Sequence, residues 1–142
     1  MESVDKALWT TDFDTGIAVV DSQHKRLFAL YNRLVELIES EQNTKAVISD
    51  LIDYTEYHFS CEEALMEQYN YPETAFHMDQ HTTFIGEIME LIQKQSVENA
   101  AAYLRAFANF LKSWLVDHIQ GTDRTLIGIV PADANPNNAA AQ

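Results

Sequence analysis

Residues 58–81 read HFSCEEALMEQYNYPETAFHMDQH, and their spacing decides the fold. His58 and Glu62 lie four apart, as do His77 and His81, so each pair shares one face of a helix. Apolar residues extend both faces: Leu65, Met66 and Tyr69 beyond the first pair, and Phe84, Ile85, Ile88, Leu91 and Ile92 beyond the second. Between the pairs, Asn70 and Pro72 interrupt the pattern, because proline cannot continue a helix and restricts the residue before it. The stretch predicts two helices, about 44–69 and 73–94, each carrying metal-ligating residue types on its apolar side.

The flanking sequence supplies two more helices. Asp21 reads as an N-cap for a helix over about 22–41, whose stripe of Leu27, Leu30, Tyr31, Leu34, Leu37 and Ile38 is extended one turn upstream by His24. Ser96 reads as the N-cap of the last helix, with Leu104, Phe107, Leu111, Trp114 and Leu115 leading to His118 and Gly121 marking its end. Residues 1–20 lack helical spacing and read as an irregular arm. Residues 131–142, rich in Ala and Asn, read as a disordered or loosely attached tail beyond a bundle over 1–130. No strand-like alternation of any length occurs. The expected fold is all-α, an antiparallel up-down-up-down four-helix bundle with an irregular N-terminal arm. In that topology the start of the first helix, the end of the second, the start of the third and the end of the fourth share one level. All five histidines of the chain fall there.

Composition narrows the partners. Twenty-two acidic residues against nine basic ones give a net charge of -13, which argues against nucleic acid or an anionic membrane as the main partner. No apolar run is long enough to span a bilayer, and the charged first residues lack the apolar stretch of a signal peptide. Cys61 has no second cysteine to pair with, so a reducing cytoplasm is the expected compartment. The expected state is a monomer.

A single histidine on an apolar face reads equally well as a hydrogen-bonded core residue. Five at one level, with Glu62 and Asp123 beside them, do not, because unpaired buried polar groups cost about 2–7 kcal/mol each and metal binding is the usual offset. The seven candidates are His24, His58, Glu62, His77, His81, His118 and Asp123. His118 and Asp123 are five apart, roughly 140° off a common face on a regular helix, so a frayed or widened last turn is required to bring Asp123 inward. Five imidazoles and two carboxylates exceed the four ligands of one zinc. Mixed imidazole and carboxylate donors suit iron among other first-row metals. With two ions, bridging carboxylates and one bridging oxygen fill all but one position of two octahedra.

Several segments together resemble the hemerythrin family, particularly its single-domain bacterial members, over about residues 9–126. They are Trp9, Asp21-Ser22-Gln23-His24, the run from His58 to Met66, His77-Met78-Asp79-Gln80-His81, and Trp114 to Ile119 with Asp123. The resemblance implies a four-helix bundle that binds molecular oxygen reversibly at two non-haem iron ions (Fe2+/Fe3+) joined by an oxo or hydroxo bridge. It assigns His77, His81 and His118 to one iron, His24 and His58 to the other, and Glu62 and Asp123 to both. It also implies that Leu27, Phe59, Trp114 and Ile119 line an apolar oxygen pocket, although ordinary core packing accounts for each of them equally well. Tyr54 and Cys61 read as core, and Glu63 as solvated surface.

The function expected is an oxygen carrier, store or delivery module, not an enzyme, with an oxygen-consuming protein as a potential recipient. The alternatives are an oxygen, iron or redox sensor module and a di-iron peroxidase or nitric-oxide-handling enzyme. The chain has no Glu-x-x-His pair of the kind that marks ferritin-like di-iron enzymes, and a histidine-rich set stabilises high-valent iron less than a carboxylate-rich one.

Overall fold

The computed structural model describes residues 4–94 and 100–137. Four helices carry the architecture: α1 (Ala18–Glu39), α2 (Lys45–Gln68), α3 (Thr74–Gln93) and α4 (Ala100–Asp117). No strand occurs among the described residues. The connections over 40–44 and 69–73 are short enough to reverse the chain, so α2 packs back along α1 and α3 along α2, while α4 packs on the other side of α1. The expected N-cap Ser96 lies outside the described residues.

The expected stripes are the faces that pack. Leu27, Leu30, Tyr31, Leu34, Leu37 and Ile38 of α1 are all buried, against Val47 and Leu51 of α2, Phe84 and Ile88 of α3, and Phe107, Leu111 and Leu115 of α4. Positive-φ residues sit where two connections must turn sharply, at Glu41 (φ 57°) and Asn70 (φ 53°). Asn70 adopts this conformation readily, and Pro72 follows two residues later.

The start of α1 differs from the sequence reading. The helix begins at Ala18, with Ile17 as its cap residue, so Asp21 sits in the first turn and is not the N-cap. Asp21 instead reaches back. Its carboxylate accepts from the Thr15 N–H (2.9 Å), the Thr15 hydroxyl (2.7 Å) and the Gly16 N–H (3.0 Å). Gly16, at φ 80°, makes the bend that brings those donors round. The apolar run Ala18 to Val20 enters the helix, and this acid anchors the turn from within.

The arm is irregular apart from one 3-10 turn, Thr11–Phe13, and it is tied to α1. Asn32 exchanges two hydrogen bonds with Ala7, accepting from its N–H at 2.8 Å and donating to its carbonyl at 2.9 Å. Tyr31 donates to the Asp5 carbonyl at 2.9 Å. Trp9, Phe13 and Phe28 pack edge to face or tilted over the same stretch.

Beyond α4 the chain winds through a π-helical turn, His118–Thr122, and a 3-10 turn, Asp123–Leu126. It then folds across the end of the bundle. Leu126, Val130 and Ala134 join Ile17, Val20, Leu65, Met66 and Tyr71 in a second, smaller apolar cluster. The Ala18 N–H donates to the Ala132 carbonyl at 2.9 Å. The stretch expected to be loose from Pro131 onward is therefore held at its start, while 138–142 lie outside the described residues. The polar site lies between the large cluster and this small one.

Candidate metal centre

The seven candidate residues meet at one level. α1 brings His24, α2 brings His58 and Glu62, α3 brings His77 and His81, and the turns after α4 bring His118 and Asp123, all of them buried. Neighbouring imidazoles stand close: 4.7 Å between the ring centres of His24 and His58, 4.6 Å for His77 and His81, and 5.0 Å for His77 and His118.

Asp123 gets there through the π turn. Its N–H bonds to the His118 carbonyl five residues back, so residues five apart stack on one side as residues four apart do in an α-helix. The side chains meet, with His118 Nε2 3.0 Å from Asp123 Oδ1. The widened turn that the five-residue spacing requires is present. Thr122 holds it against α3 by donating to Gln80 Oε1 at 2.8 Å.

Two carboxylates organise the five rings. Asp123 approaches His24 Nε2 at 2.8 Å through one oxygen, and His77 and His118 at 3.0 Å through the other. Glu62 Oε1 lies 3.3 Å from Nε2 of both His58 and His81, and Oε2 is 3.9 Å from that of His24. These approaches are short but misdirected for hydrogen bonding. Nε2 of His24, His77, His81 and His118, and all four oxygens of Glu62 and Asp123, are buried without a hydrogen-bond partner. Leaving so many groups unsatisfied costs about 1–3 kcal/mol each. Lone pairs that converge without meeting a donor fit a cation, and the residues fall into two overlapping donor groups. Glu62, His77, His81, His118 and Asp123 form one, while His24, His58, Glu62 and Asp123 form the other, with ligand atoms in each within 4.8 Å of one another.

Charge reinforces the fit. Burial pushes the Glu62 carboxyl up, as does the charge on Asp123, yet His58 and His81 outweigh both and hold it at about 2. Burial likewise opposes the charge on Asp123, while His118, His24 and His77 hold its carboxyl well below the usual range. Burial pulls His24 and His81 down. Asp123 and Glu62 reverse that for His24, and Glu62, Glu63 and Asp123 for His81, so both imidazoles end above their ordinary value. Two buried anions hold positive charge beside them, as protons or as metal ions.

Two residues outside the seven complete the shell. His58 Nδ1 lies 2.6 Å from Gln23 Oε1, and His81 Nδ1 lies 3.0 Å from a Glu63 carboxylate oxygen. Because the amide oxygen and the carboxylate accept, each ring donates from Nδ1, which leaves Nε2 as the nitrogen that faces the cluster and is free to bind a metal. Glu63, expected on the solvated surface, is thus a working partner and only 28% exposed at its side chain. Gln23 carried a readable signal: a polar residue four positions before Leu27 on the stripe of α1. Glu63 carried none, since its partner comes from another helix.

Leu27, Phe59 and Ile119 are buried in the large apolar cluster, and Phe59 stacks on His81 at 3.7 Å and 5°. Trp114 stacks on His118 at 4.3 Å and 13°, but one side of it is open to a surface cleft shared with Phe76, Asp79, Asp117 and Thr122. Tyr54 pairs with Tyr57, and Cys61 is half-buried on a face of α2 different from that of Glu62.

A family profile described as the hemerythrin HHE cation binding domain matches residues 15–130, which takes in every residue of the cluster. The chain belongs to the hemerythrin family. Among curated hemerythrins, it is 36% identical over 131 residues to the bacteriohemerythrin of Stenotrophomonas maltophilia, spanning 90% of this chain and 84% of that one. It is 33% identical over 126 residues to the bacteriohemerythrin of Pseudomonas aeruginosa, spanning 87% and 80%. A crystal structure of wild-type hemerythrin superposes with a TM-score of 0.77 at 26% identity, covering 92% of this chain and all of that one. Among the described residues, no helix is long and apolar enough to cross a membrane.

Proposed function

We propose that this hemerythrin-family protein binds molecular oxygen reversibly at a non-haem di-iron centre, as a carrier, store or delivery module. One observation carries the reading: the two buried donor groups share both carboxylates, Glu62 and Asp123, and no other residue. His77, His81 and His118 would hold one iron and His24 and His58 the other, with an oxo or hydroxo bridge between them. Bound iron supplies the electrons that oxygen takes up and gives back. The protein's own residues set the conditions. Five neutral imidazoles and two shared anions keep the ligand charge low, and the half with two histidines has one protein donor fewer, which leaves room there for oxygen.

Leu27, Phe59 and Ile119 keep water from the rings, and a dry surrounding disfavours the charge separation that would end the cycle in inert oxidised metal. Trp114 closes the His118 side by stacking. The seven residues proposed as ligands and these four pocket residues together supply binding and exclusion of water. We read the protein as a binder, not an enzyme. The sensor and enzyme alternatives draw no support from the relatives named above. A soluble cytoplasmic monomer serving an oxygen-consuming protein accords with the acidic charge and the single cysteine.

Optical spectroscopy tests this directly. The iron-loaded protein is reduced anaerobically, exposed to oxygen, and flushed with inert gas through several cycles. Charge-transfer bands that rise with oxygen and fall on its removal are expected. A single irreversible oxidation would overturn the carrier reading.

A further inference from the structure

We infer that Gln23 and Glu63 are a matched pair of positioning residues that make the two metal half-sites unequal in strength, an inference that rests on the di-iron reading above. The shell around the cluster is sparse. Nδ1 of His24 and Nδ1 of His77 are buried with no hydrogen-bond partner, so packing here tolerates a ring nitrogen without one. The two rings anchored by side chains belong to different donor groups, His58 to the group with two histidines and His81 to the group with three. Their partners differ in charge. His58 donates to a neutral amide oxygen and His81 to a carboxylate.

An anionic acceptor draws the Nδ1 proton towards itself and raises electron density at Nε2 more than an amide can. The three-histidine half therefore gains twice, from its extra imidazole and from the more basic His81. The two-histidine half keeps a weaker donor set. Glu63 is placed for this by α2 itself: Glu62 points its carboxylate into the cluster, and the next residue, about 100° round the helix, meets the outer edge of a ring carried by α3. Gln23 is likewise a neighbour of a cluster residue, one position before His24 on α1, and reaches the outer edge of a ring carried by α2. The arrangement predicts ordered loading, with the three-histidine half filling first and the two-histidine half holding the more weakly bound ion.

The test is zinc uptake by the metal-free full-length chain, using a competing chelator for affinities and nitrogen-15 NMR of the histidine rings to see which half fills. In the unaltered protein the first equivalent is expected to shift His81 Nδ1–H and the second His58 Nδ1–H. Glu63→Gln, nearly isosteric and still able to accept, is expected to weaken the first step by on the order of tenfold and leave the second unchanged. Gln23→Glu is expected to tighten the second step by a similar factor. Opposite signs at opposite halves are the signature, and helical circular dichroism checks that each variant folds. If one variant does not fold, the sign of the other decides. Equal weakening of both steps by both substitutions would show a merely structural role and overturn the inference while leaving the di-iron reading intact. Failure of the unaltered protein to take up two ions would overturn both.

Discussion

At the scale of single residues, the cluster is a balance between buried anions and the positive charge they attract. Asp123 is the focus, with three ring nitrogens within 3.0 Å of its two oxygens. Without metal that charge can come only from protons on the rings, and this fixes a pH dependence for the metal-free protein. His24 and His81 are raised above 6.5, so they favour folding fully below that value, and their contribution is lost as pH rises through their folded-state values. Glu62 and Asp123 are lowered below 4.5 and 3.8, so they favour folding above those values, and their contribution is lost as pH falls towards their folded-state values. The metal-free protein is expected to have its highest unfolding temperature between about pH 4.5 and 6.5. Loaded with metal, it should lose the alkaline limb of that profile, because the ions replace the protons. Thermal unfolding followed by circular dichroism across pH 4–9 checks both halves, and a metal-free optimum above pH 8 would contradict the first.

At the scale of elements, the legible and illegible parts of the chain separate by mechanism. The pairs four apart, His58 with Glu62 and His77 with His81, were readable because an α-helix has one period and the residues around them obey it. The start of α1 was misread because Asp21 resembles a cap, whereas its carboxylate serves Thr15 and Gly16 behind it. The role of Glu63 was out of reach, since a contact between helices leaves no mark on the spacing within one. The His118 to Asp123 interval lay between these cases: the sequence shows that a regular helix fails there, and only the structure shows the π turn that succeeds. That turn gives an element-level prediction. Inserting one alanine after Gly121, whose position has open space around it, should set Asp123 six residues from His118, where neither α nor π spacing returns the two to one side. Asp123 and the residues that follow would be carried about 100° round, and the contacts of Thr122 and Thr125 with Gln80 and Tyr71 would break. The expected outcome is metal capacity falling to one ion or none, with helix content nearly unchanged. Metal analysis beside circular dichroism reads it, and an insertion variant that still holds two ions would show the register set by the π turn to be dispensable.

At the scale of the molecule, the site is a polar layer between two apolar ones. The large cluster fills the bundle on one side, and the smaller cluster of Ile17, Val20, Leu65, Met66, Tyr71, Leu126, Val130 and Ala134 closes the other. The large cluster draws on all four helices, but the layer between the two clusters sets unsatisfied ring nitrogens and carboxylates from α1, α2, α3 and the turns after α4 against one another. Metal bound there would act on the whole bundle and not on one element, because α1, α2, α3 and the turns after α4 each contribute a donor and none could leave without losing it. An ion present at a hundred times its dissociation constant adds about 2.7 kcal/mol to the folded state. Two ions at that excess would add roughly twice as much, which for a chain of this size raises the unfolding midpoint by on the order of 10–20 °C. The rise should come as one cooperative transition moving to higher temperature, not as a new step beside the old one. Calorimetry of the metal-free protein and of protein reconstituted with ferrous iron under anaerobic conditions makes the comparison. A midpoint that does not move would mean that the seven side chains satisfy one another without an ion, against the geometry that leaves eight of their inward-facing atoms without a partner.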